Sequence, residues 1–142
     1  MTIDELFDLV APVAIMHAAD TTYEPKAKKA LRKLKKLEND PLVVKHFGAP
    51  NTDRDWMALV EFSEADGFRH TVVDVYKTLF MEIIEDAAPD WEHHFDRWGA
   101  HAWRDASGEH VFSGDACRMV PWYETAALLR ERIQEHENEH KS

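Results

Sequence analysis

A single cysteine, Cys117, stands in the whole chain, so no disulfide can form within it and no cysteine cage can hold a metal. Such scarcity points to a reducing compartment. Long hydrophobic runs are missing as well. The run from Leu9 to Met16 is too short to cross a bilayer. Asp4, Glu5 and Asp8 precede it, where a secretion signal carries basic residues. A cytoplasmic location without membrane contact is the expectation. Internal repeats, low-complexity stretches and inter-domain linkers are also lacking, so residues 1–142 are expected to form one helical domain.

Positive charge is in short supply. Seventeen Lys and Arg face 27 Asp and Glu, a net charge of −10. The deficit is uneven, with a balance of +1 over residues 1–50 and −11 over residues 51–142. Such an excess opposes contact with nucleic-acid phosphates over most of the surface and suits a partner with a basic surface. What the chain does have is core-forming material. Hydrophobic residues make up 44% and include five Trp and seven Phe, enough for a chain of this length to fold without staples.

The apolar spacing predicts a mainly α protein, a compact bundle of five to six helices with a small β-hairpin near residues 103–113. Thr2-x-x-Glu5 is a capping box that opens a first helix, and Pro12 predicts a kink or break near residues 8–12. Pro25 opens a second helix, with Ala27, Ala30, Leu31, Leu34 and Leu37 on one stripe. Pro41 to Phe47 reads as a short helix closed by Gly48, and residues 52–65 as another. Phe68, Val72, Val75, Tyr76, Leu79, Ile83 and Ala87 repeat at 3.6 and mark the strongest helix. Trp91, Phe95, Trp98 and Ala102 share that spacing and predict helix over 90–102. The turn residues at 105–108 give the hairpin, and Pro121 opens a last helix.

Four patterns invite chemistry. His136-Glu137-Asn138-Glu139-His140 fits H-E-x-x-H, the zinc-peptidase spacing that places two imidazoles on one helix face. With only Lys141 and Ser142 following and polar flanks, His136 and His140 are expected as exposed chelators at most, not as catalytic residues. Glu61-x-x-Glu64 with Glu82-x-x-Glu85 resembles the acidic signature of the all-alpha nucleotide pyrophosphohydrolases, which hold magnesium between two antiparallel helices. A turn at Gly67 would leave the two pairs roughly 15–20 Å apart along such a hairpin, too far for one ion. The group Glu92, His93, His94, Asp96 and His101 resembles a metal site in composition, but on a helix His94 and His101 stand about 10 Å apart. No catalytic residue and no cofactor are assigned.

The fourth pattern is Lys26, Lys28, Lys29, Arg32, Lys33, Lys35 and Lys36, seven cations in eleven residues with no acid among them. It fits either phosphate contact or a surface helix whose lysines pair with the molecule's own acids, and the acid excess favours the second. Aromatics for stacking on single strands are absent from it.

The function that agrees best with this balance is an acidic protein-interaction or inhibitory module. It would bind a basic protein surface, in one form by imitating nucleic-acid phosphates. Its candidate contact residues are Glu61, Glu64, Asp66, Glu82, Glu85, Asp86, Asp90, Trp91, Glu92 and Trp98. A metal-dependent enzyme with histidine and carboxylate ligands, and a nucleic-acid-binding accessory protein using residues 26–36, are the alternatives.

Overall fold

The computed structural model describes residues 1–18, 21–50, 56, 66–95, 101–114 and 123–139, with backbone alone at 18, 66–70, 95, 101, 113 and 114. Five α-helices and a three-stranded sheet occur among them. The helices are α1 (Ile3–Ala18), α2 (Glu24–Lys36), α3 (Pro41–Phe47), α4 (Asp66–Ala87) and α5 (Ala126–Glu139). The strands β1 (Glu92–Phe95), β2 (His101–Arg104) and β3 (His110–Gly114) form an antiparallel meander in that order.

α1 begins at the expected capping box. Thr2 N–H donates to Glu5 Oε1 and Glu5 N–H to Thr2 Oγ1, both at 3.1 Å. The helix then runs unbroken through Pro12, where the sequence predicts a kink or break. Packing supplies the reason. Leu6, Phe7, Val10, Ala11, Val13, Ala14 and Met16 are all buried, because α1 is enclosed by α2, α3, α4 and α5. Contacts on several sides outweigh one missing donor.

α2 lies on α1 through Ala27, Ala30, Leu31 and Leu34, the predicted stripe. α3 starts at Asp40, whose carboxylate accepts from Leu42 N–H at 2.9 Å, and ends at Gly48, whose φ of 83° suits glycine. α4 is described from Asp66, so Gly67, where the sequence predicts a turn, lies within helix. α5 starts at Ala126, later than the Pro121 start predicted. Thr125 Oγ1 accepts from Leu128 N–H, and Asp8 of α1 accepts from Ala126 N–H at 2.8 Å. Residues 52–55 and 57–65 of the predicted fourth helix lie outside the described residues, and Trp56 is buried.

The helix predicted over 90–102 is overturned. Residues 92–95 and 101–104 are strands paired Glu92↔Arg104 through Phe95↔His101. The predicted hairpin is there, as β2 and β3, but β1 completes it to three strands. Aromatic side chains fit pleated surfaces, and here the inner face of the sheet settles the matter. Trp103 and Phe112 pack on Phe80 of α4 with ring centroids 5.5 and 5.6 Å apart. Strands of only four residues give no period-2 signal long enough to compete with the helical one.

Candidate functional site

The hairpin turn carries the most elaborate polar network among the described side chains. Asp105 leaves β2 and folds back on its own turn. Its Oδ1 accepts from Ser107 N–H at 2.9 Å, Ser107 Oγ at 2.6 Å and Glu109 N–H at 3.0 Å. Gly108, at φ 89°, supplies the left-handed residue that closes the turn. The other oxygen, Oδ2, lies 2.8 Å from His136 Nε2 of α5. Hydrogen bonds from Ser107 and His136 hold the Asp105 carboxyl far below the usual carboxylate range.

His136 is therefore not the exposed, fraying residue predicted. It is 5% exposed, packed edge-on against Trp91 at 5.4 Å and bonded to a carboxylate 31 positions away in sequence. Glu137 is equally committed, accepting from Trp91 Nε1. The first two members of the H-E-x-x-H match thus anchor α5 to the sheet, while His140 lies outside the described residues. Trp91, predicted as a contact residue, is 8% exposed and belongs to the core instead. Its indole covers His136, so burial there serves folding.

Asp105, Glu109 and His136 offer ligand atoms within 4.8 Å of one another, the group of this kind found among the described residues. Oδ1 of Asp105 serves the three donors of the turn, and Oδ2 is engaged by His136 Nε2, so a cation held between Asp105 and His136 would have to displace that contact. The geometry is that of a structural clasp. Sequence reasoning placed Asp105 in a turn but had no signal linking it to His136, since a side-chain pair across distant elements leaves no spacing pattern.

The other histidine group is also rearranged. His93 faces Trp103 at 4.8 Å, and His94 packs on His110 at 5.3 Å, so strand alternation separates them. Burial and the neighbouring His94 pull the His93 imidazole below its ordinary value, against an opposing pull from Glu85. Arg104 Nε donates to His110 Nε2 at 3.3 Å, which occupies one ring nitrogen.

Of the acidic positions, Glu61, Glu64 and Trp98 lie outside the described residues, and Asp66 is described by backbone alone. Glu82 is half-buried with an Oε2 that has no hydrogen-bond partner, as has the buried Nε2 of His46. Burial lowers the His46 value, Glu82 opposing and Lys45 reinforcing the effect. Glu85, Asp86, Asp90 and Glu92 are exposed and sit together at the C-terminal end of α4 and the start of β1.

The basic stretch behaves unlike the favoured expectation. Among the described residues, its seven cations form no ion pair with an acid outside α2. Lys28 bonds to Glu24 within its own helix at 3.0 Å, and Lys26 lies 5.3 Å from the Tyr23 ring centre. Lys29, Arg32, Lys33, Lys35 and Lys36 are exposed with no ion pair among the described residues. Lys33 and Lys36 edge an open cleft of about 680 Å³ whose other walls are Met1, Glu5, Asp8, Leu9 and Leu37.

Compared with known proteins, the chain matches no family model, no curated protein and no solved structure. No described helix is long and apolar enough to cross a membrane.

Proposed function

We propose that the protein is an acidic interaction module, working in the cytoplasm, that docks a basic protein surface through the end of α4 and the start of β1. The observation that carries this reading is where the carboxylates sit. Glu85 and Asp86 occupy the last turn of α4, and Asp90 and Glu92 follow directly, all exposed. That is the negative end of the helix dipole, where a carboxylate costs roughly 0.3–1 kcal/mol and a lysine would be favoured. No basic residue stands in that turn. Arg130 bonds Asp86 at 2.7 Å, and no ion pair engages the other three among the described residues. Helix stability does not explain the placement; attraction for a cationic partner does. An inhibitory role, with the acids imitating a phosphate row, is one form this docking would take.

The test is binding to the basic partner that co-purifies from the native host. Neutralising the cluster with Glu85→Gln, Asp86→Asn, Asp90→Asn and Glu92→Gln should weaken that complex by on the order of tenfold or more, mainly by slowing association. The parent's affinity should also fall steeply with added salt. Equal affinity of parent and variant at low salt would end this reading.

A further inference from the structure

We infer that the outer face of α2 is a second, independent docking surface, which binds the phosphate backbone of a nucleic-acid duplex without reading its sequence. At about 100° per residue, buried Ala27, Ala30, Leu31 and Leu34 share one arc of α2. The seven cations fill the opposite half, with Lys29, Arg32, Lys33 and Lys36 at its centre. Those four are exposed and engage no acid among the described residues.

Partners for them were available. α2 carries a net charge of +6, which leaves −16 on the rest of the chain. Yet the acids of α1, the helix on which α2 lies, are turned to other tasks. Asp4 holds Arg130, Glu5 closes the capping box, and Asp8 caps α5. α1 packs against α2 and also against α4 and α5, so the acid-rich elements lie beyond it. The helix dipole accounts for Lys33, Lys35 and Lys36 in the last turn. It does not account for Lys26, Lys28 and Lys29 near the opposite end. Like charges three and four apart repel, so this face is maintained against local stability.

The chemistry of the face selects its occupant. Six of the seven cations are lysines, point charges suited to phosphates. Stacking side chains for single strands are absent from it. Insertion into a lipid surface needs an apolar face, and the apolar residues of α2 are spent on α1. Each strand of a duplex presents one phosphate per about 3.4 Å of axis, and α2 from Lys26 to Lys36 spans roughly 15 Å, the axial length of about four. Four outward cations can therefore meet phosphates along one backbone.

The experiment is fluorescence anisotropy of the full chain with a 20-base-pair random-sequence DNA duplex. Four phosphate contacts give a slope of log affinity on log salt of about −4, and so on the order of 100-fold weaker binding at 200 mM than at 50 mM salt. The variant Lys29→Gln, Arg32→Gln, Lys33→Gln, Lys36→Gln should lose the binding and the slope while keeping the parent's circular dichroism. Neutralising Lys45, Lys77, Arg104 and Arg132 instead should change neither. Failure of the parent to bind at 50 mM salt would overturn the inference. So would equal affinity for phosphatidylserine vesicles or polyglutamate, or self-association through this face in place of duplex binding. Because the acidic cluster is untouched in these variants, the outcome is separate from that of the first proposal.

Discussion

Asp105 joins a turn to a helix with one side chain, three donors on one oxygen and His136 on the other. A carboxyl held so far below its usual range binds its proton more weakly in the native state than in the unfolded one. Its stabilising contribution is therefore complete above the ordinary carboxylate value, near 4, and is lost as pH falls below it. Asp105→Asn should be less stable than the parent at pH 7 in urea unfolding, and the gap should narrow between pH 5 and pH 3. A gap that stays constant through that range would show that the charge is not what the site uses. At this scale the expectation of an exposed His136 failed for a physical reason. H-E-x-x-H specifies which helix face two imidazoles share, and says nothing about what already occupies it.

Between elements, two further contacts tie α5 and the segment before it to the rest. Tyr76 of α4 is fully buried, its hydroxyl donating to Tyr123 carbonyl at 3.3 Å and accepting from Tyr123 N–H at 2.7 Å. Burial pushes its phenol well above the usual value, so it stays neutral in the native protein. Tyr76→Phe leaves that buried N–H without an acceptor and should cost about 1–3 kcal/mol by chemical denaturation. Tyr123 pairs through its backbone, so Tyr123→Phe should keep both bonds and cost less. Arg130 holds Asp4 of α1 through two bonds of 2.9 Å and Asp86 of α4 through one of 2.7 Å. These groups are partly exposed, which limits the cost of Arg130→Ala to about 1 kcal/mol, reduced further in 1 M salt. An equal cost at all salt concentrations would point to lost packing of the side-chain stem instead.

Across the whole molecule the dominant feature is uneven charge: α2 carries +6 against −16 on the remainder of the chain, and the buried helix α1 packs between α2 and the acid-bearing α4. Two oppositely charged faces on one body favour self-attraction once the net charge vanishes. Solubility should pass through a minimum near the isoelectric point of about 5.3, and light scattering across pH 4–8 measures it. The minimum should be shallower in the α2 variant with four neutralised cations. An unchanged minimum would place the association elsewhere.

The order of residues by itself determined the capping box of α1, the buried stripe of α2, the Asp40-to-Gly48 frame of α3 and the long period of α4. Each is a local signal, written within one or two helical turns. It also determined how much charge the chain carries, but not which charges meet. Tertiary structure alone decided that residues 92–95 extend as a strand, that α1 passes through Pro12, and that His136 closes on Asp105. In each of these the deciding partner lies many residues away, and an interaction between distant side chains leaves no periodicity for the sequence to display.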